Sequence, residues 1–126
     1  MKLQLARIAH ARSGDKADRA DIGLFAWDAA GYRVLERAVT PQRIADHFAH
    51  LLGGNDAARV QCHTLPRLLA IKLVLDGALN GGAARSLRSD NLGKTLAAQL
   101  LRLEIELPDD EAAAVLAGAR EAIDRF

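Results

Sequence analysis

The chain holds a single cysteine, Cys62, so it can form no internal disulfide and no cysteine-based zinc site. Its five aromatic residues are too few for a platform stacking the successive bases of a nucleic-acid strand. Neither sign of charge is in surplus. Lys and Arg number 17 against 16 Asp and Glu, a net +1 that suggests neither a polyanion-binding surface nor an acidic tail. Long apolar runs are missing too. The richest stretch, LPRLLAIKLVLDGAL (65–79), is interrupted by Arg67, Lys72 and Asp76 and is too short and too charged to span a bilayer. The opening MKLQLARIAH alternates and carries Arg7, so it lacks the continuous apolar core of a secretory signal. The expectations are a soluble, cytoplasmic protein with no nucleic-acid or membrane partner.

What remains is an ordinary globular composition, half apolar and 26% charged, in a length of 126 residues that suits one domain over 1–126 with one core. Residues 2–9 read as a strand whose apolar register changes between Leu5 and Ala6. A charged loop follows, and then DIGLFAW (21–27), apolar on both faces as in a strand covered on both sides. YRVLERAV fits a short helix or an edge strand. TPQRIADHFAHLLGG (40–54) is the clearest helix: Thr40 can cap it, Pro41 suits its first position, and Gly53 and Gly54 end it. AARVQCH alternates like a half-buried strand. Residues 66–79 fit a helical stripe (Leu68, Ile71, Leu75, Leu79) and a strand alternation (Leu69, Ile71, Leu73, Leu75). Their length, Pro start and Asn-Gly-Gly stop favour the helix. ARSLRSDNLGKTL reads as a strand entering a turn, Leu101 to Leu107 as a last strand, and 108–126 as a second helix with its acids at the start. This interleaving predicts an α+β domain, a sheet of four or five strands with helices on one face.

Two polar stretches stand out. ARSGDKADRAD (11–21) places Arg12, Ser13, Gly14, Asp15 and Lys16 in succession, with Asp18 beyond, as a loop whose amides and cations could receive a carboxylate or phosphate. NGGAARSLRSDNLGKT (80–95) offers Gly81 and Gly82 before Arg85, Ser86 and Arg88, then Gly93 and Lys94. Its GKT ending is not a P-loop, because Arg88 stands where that motif requires its first glycine. The four histidines form no metal motif. His10, just before the first stretch, is a candidate proton donor or acceptor there. No nucleophile elbow occurs.

Together, ARSGDK…D…IG, LP..LAI..VLDGAL.GG and RSLR.D..GK.L resemble the small C-terminal domain of the acyclic terpene utilization (AtuA-like) family. Its pattern runs HARSGDKGD..NIG, LPNL.ALNFVL.GALGGG.TRSLRLD..GK. The resemblance covers about residues 5–107 and leaves the helix at 108–126 outside. It implies a ferredoxin-like fold, in a chain fused behind a larger domain or made as a separate small subunit; here the expectation is a standalone domain. It marks Arg12, Ser13, Gly14, Asp15, Lys16, Asp18, Gly81, Gly82, Arg85, Ser86, Arg88, Gly93 and Lys94 as positions of the pattern without giving them roles. Four residues depart from it: Ala17 for Gly, Asp21 for Asn, Lys72 for Asn and Asn80 for Gly.

The resemblance further implies a place in the breakdown of branched or terpenoid acids carried as acyl-CoA thioesters. The leading expectation is an accessory subunit without a cofactor, binding a larger AtuA-type subunit, itself, or both, with the polar stretches as one seam for an interface or an anionic ligand such as an acyl-CoA. The alternative is a small hydratase or lyase acting on a CoA thioester, with Asp15 as acid–base group assisted by His10 or Lys16.

Overall fold

Ala9, Ala11, Ser13 and Asp15 alternate along the chain with His10, Arg12, Gly14 and Lys16, and a period of two builds a strand, not a loop. In the computed structural model, which describes residues 1–82 and 85–125, a short β1 (Lys2–Gln4) ends in a 3₁₀ turn at Leu5–Arg7. β2 (Ala9–Lys16) and β3 (Arg19–Ala26) then form an antiparallel hairpin, with Lys16 opposite Arg19. The charged loop expected from the sequence is therefore the arm of a hairpin. Its charges are tolerable because β2 is an edge strand with one side in solvent.

α1 (Ala29–Ala38) follows, capped by the Asp28 carboxylate, which accepts from the Gly31 N–H at 2.8 Å. This settles YRVLERAV as helix, with Tyr32, Val34 and Leu35 buried. The helix expected over 40–54 is divided at Phe48 into α2 (Pro41–His47) and α3 (Ala49–Leu52), with Thr40 and Pro41 at its start as the sequence suggests. β4 (Val60–Leu65) and β5 (Ala70–Asp76) form a second hairpin. Here the expected helix is corrected to a strand. Pro66–Leu68 make one 3₁₀ turn, Leu69 takes a left-handed φ of 53°, and β5 then runs between β3 and β4. Strand neighbours on both sides outweigh the accidental helical stripe, and Ile71 and Val74 favour the strand locally. The strand expected over ARSLRSDNLGKTL, whose first residue lies outside the described residues, is absent over 85–96; turns lead into α4 (Leu96–Leu101), and Glu104–Glu106 form β6, paired with β1. α5 (Asp109–Asp124) buries Ala112, Val115 and Ala119 and packs on α1, where Gly118 leaves room for the Asp28 carboxylate.

The main sheet has the order β2-β3-β5-β4, every neighbour antiparallel. β3, its following helices and β4, with β5 between the two strands, make the split βαβ unit of a ferredoxin-like fold. The remaining edge strand, β2, precedes the unit instead of following the second helix. Ala20, Ile22, Leu24, Ile71, Leu73 and Leu75 point to the helix side and are buried with Leu35, Ile44 and Phe48 in one core. Among the described residues the opposite side of the sheet carries no helix. β3 is therefore covered on one side only, contrary to the expectation for 21–27: Asp21, Gly23 and Phe25 are half-buried on the open side.

Candidate functional site

Alternation along β2 divides the first polar stretch between the two sides of the sheet. Ser13 and Asp15 face the helix side. The Ser13 hydroxyl donates to the Lys94 carbonyl at 3.1 Å and accepts from the Ala97 N–H at 3.3 Å, fastening β2 to the start of α4. The Lys94 ammonium lies 3.6 Å from the Asp15 carboxylate. At the hairpin tip the Asp18 carboxylate accepts from the Gly81 N–H at 2.8 Å. Gly82, at φ 95°, lets the Ala17 carbonyl approach so closely that a Cβ there would stand 2.9 Å from its oxygen. The structure thus brings the two polar stretches together, through backbone and ion-pair contacts on the helix side.

The rest of the second stretch holds its own turns. Half-buried Arg88 donates to the Ala78 carbonyl, and its N–H donates to the Ser86 hydroxyl at 3.2 Å. Gly93, at φ 68°, sits against Leu79 and Leu96. The exposed Arg85 donates its backbone N–H to the Gly82 carbonyl. Asp90, which the sequence reading passed over, accepts from the Lys94 and Thr95 N–H groups at 2.7 and 3.1 Å and from the Thr95 hydroxyl at 2.6 Å. Burial alone would raise this carboxyl. The Thr95 and Lys94 donors, with the Lys94 charge, outweigh it and hold Asp90 below its ordinary range.

Arg12, Gly14 and Lys16 face the other way, onto the open side. There they join Asp21, Gly23 and Phe25 of β3 and Lys72 of β5 around a cleft of roughly 320 Å³, which Ser13 and Asp15 also line. The two glycines are what make this space. A Cβ on Gly14 would stand 2.9 Å from the Asp21 carboxylate, and one on Gly23 would stand 3.0 Å from the Phe25 ring. Because neither glycine has a Cβ, the Asp21 and Phe25 side chains lie along the sheet over them. Lys72 Nζ donates to Asp21 Oδ1 at 2.7 Å. Arg12 and Lys16 meet no protein acceptor among the described residues. The cleft is therefore lined by three cations and two acids, Asp15 and Asp21, of which Asp15 is paired with Lys94 outside it, a balance that suits an anion.

His10 is not placed to assist Asp15. They stand five positions apart on the strand, ~17 Å at strand spacing, and project to opposite sides. Lys16 also projects away from Asp15. Instead His10 stacks on Phe25, with ring centroids 5.3 Å apart and planes inclined by 20°, and lies 4.6 Å from the Trp27 ring. Among the described residues no group of three His, Cys, Asp or Glu side chains could hold a metal ion, and no helix is long and apolar enough to cross a membrane. Cys62, on the helix side of β4, has its thiol pushed up to about 11 by burial.

Sequence reasoning missed Gly23 and Phe25, took Trp27 for a packing residue, as its contact with the core bears out, and met Asp21 and Lys72 only as departures from a pattern. The available signal was the alternation in DIGLFAW, where an acid, a glycine and two rings share one parity.

The model of the AtuA ferredoxin-like domain matches residues 3–106, and the chain belongs to that family. No curated protein and no solved structure matches it.

Proposed function

We propose that this member of the AtuA ferredoxin-like family is an accessory binding subunit that holds an anionic group on the open side of its sheet. It would work with a larger AtuA-type subunit, with a second copy of itself, or with both, in the breakdown of branched or terpenoid acids carried as acyl-CoA thioesters. One observation carries the reading: the acids of the polar stretches are occupied while two cations of the cleft are free. Asp15 meets Lys94, Asp18 meets the Gly81 amide, Asp21 meets Lys72, and Asp90 meets Lys94 and Thr95. Arg12 and Lys16, beside the Asp21 and Phe25 side chains that cover Gly14 and Gly23, have no such partner among the described residues. A hydratase or lyase needs a free acid–base group beside its substrate anion, and the Asp15 carboxylate is paired with Lys94.

The test is a calorimetric titration with inorganic phosphate and coenzyme A, alongside native mass spectrometry of protein purified from its own cells. Saturable binding lost in Arg12→Ala and Lys16→Ala, with a larger subunit or a second copy in the native ion, supports the reading. Turnover of an enoyl- or hydroxyacyl-CoA by the purified chain, abolished by Asp15→Asn, would replace it with the hydratase or lyase.

A further inference from the structure

We infer that the open side of the sheet is a nucleotide site, in which Arg12 and its neighbouring cations take the phosphates and the His10–Phe25–Trp27 ring cluster stacks the base. The inference rests on the anion site proposed above and adds what its ligand must carry.

The rings and the cations belong to one surface. His10 and Arg12 are consecutive residues on the open side of β2, ~6.7 Å apart at strand spacing. Their partners across the β2–β3 ladder are Phe25 and Gly23. Phe25 leans over Gly23 and lines the same cleft as Arg12, Lys16 and Lys72. A ligand lying along the open side of β2 from His10 to Arg12 thus meets the rings at one end and the cations at the other, with the Phe25 ring over Gly23 between them. An inorganic anion would use only the cation end.

The chain has five aromatic residues, and two of them, Phe25 and Trp27, are half-buried here around an exposed histidine, Trp27 with one side on the core. The histidine is held by both: stacked on Phe25 at 5.3 Å and tilted against Trp27 at 4.6 Å. A base gains stacking from any such exposed ring, whatever its sequence. A single nucleotide is favoured over a strand of nucleic acid on two counts. There is one ring cluster at one end of the cleft, where a strand needs successive platforms, and the chain's net charge is only +1.

Trp27 is the only tryptophan, so its fluorescence reports the site directly. The probes are AMP, ribose 5-phosphate and inorganic phosphate, titrated into the wild type and into His10→Ala, His10→Phe and Arg12→Ala. Each variant is first checked for its circular-dichroism spectrum. The expected result is that AMP, which differs from ribose 5-phosphate by its base, binds about tenfold more tightly and quenches Trp27. His10→Ala should erase that preference without changing phosphate affinity, His10→Phe should keep it, and Arg12→Ala should weaken all three probes. Equal affinity for AMP and ribose 5-phosphate, or an AMP preference indifferent to His10→Ala, overturns the base platform and leaves the anion site standing. Absence of binding by all three probes overturns the anion site and this inference with it. A short single-stranded oligonucleotide binding far more tightly than AMP overturns the single nucleotide in favour of a strand.

Discussion

Lys72 Nζ of β5 reaches Asp21 Oδ1 of β3 at 2.7 Å, on a diagonal of the β3–β5 ladder where Gly23 faces Lys72 and Asp21 faces Val74. These are two of the four residues that depart from the AtuA-like pattern, which has asparagine at both positions. An asparagine pair would line this cleft with neutral amides. The Asp–Lys pair keeps its net charge while fixing both side chains flat against the sheet, beside Gly14.

The pair's weight on the cleft is measurable. The Asp21 side chain is 24% exposed and that of Lys72 is 44% exposed, so their coupling in a double-mutant cycle by urea unfolding should be about 0–1 kcal/mol. Anion affinity should move more clearly. Asp21→Asn unmasks Lys72 and should tighten phosphate about fivefold, whereas Lys72→Asn leaves a carboxylate under Arg12 and should weaken it by about as much. The Asp21→Asn/Lys72→Asn double variant should return near the wild type. Weaker phosphate binding by Asp21→Asn would show that the anion does not sit over this pair.

The hairpin tip gives a second prediction. Ala17 has φ 54°, a left-handed conformation that costs a side-chain-bearing residue ~1–2 kcal/mol. Glycine removes that cost but adds ~0.4–1 kcal/mol of backbone entropy to the unfolded chain. Ala17→Gly should therefore stabilise the fold by about 0–1 kcal/mol. Gly82→Ala meets both a φ of 95° and the Ala17 carbonyl 2.9 Å from the new Cβ, and should cost about 1–3 kcal/mol. Urea unfolding ranks the two. A destabilised Ala17→Gly would mean that the strain at this turn is not borne by residue 17.

Much of this was legible in the sequence because it rests on short-range rules. Thr40, Pro41 and the apolar face of 41–52 fix the start and side of α2 and α3 without outside help. The α+β class and the AtuA-like pattern followed from element order and from three separated blocks of unusual polar residues. What misled was context. Residues 70–76 satisfy helix and strand periods alike, and only β3 and β4 on either flank decide between them. The polar stretch of residues 11–16 looked like a loop because charge was read before parity. Parity sends Ser13 and Asp15 to the helices and Arg12 and Lys16 to the open side, so a single seam in the sequence becomes two surfaces. The meeting of Asp21 with Lys72 spans 51 positions and has no local trace.

Cys62 should be chemically quiet. Burial raises its thiol from 9.0 to about 11, so at pH 8 its thiolate is about a hundredfold scarcer than in the unfolded chain. Labelling with a thiol-reactive disulfide should accordingly be slow in the native protein and fast in urea. Equal rates would show that β4 opens readily at this position.

Acid should loosen the turn before α4 through Asp90. Its folded-state carboxyl titrates below the ordinary 3.8, because the Thr95 and Lys94 donors outweigh the opposing effect of burial. A depressed folded value gives stability that is fully present above the unfolded value of 3.8 and is lost as pH falls through the folded value. Urea midpoints measured from pH 6 down to pH 2.5 should hold steady and then decline below about pH 4. Asp90→Asn removes the titrating group and two of its charge-assisted bonds, so it should lower the midpoint at pH 6 and flatten part of the acid decline. A variant whose pH profile merely shifts down in parallel would assign the acid sensitivity to other carboxylates. Asp15 is the first of these to substitute, since it shares Lys94 with the same turn.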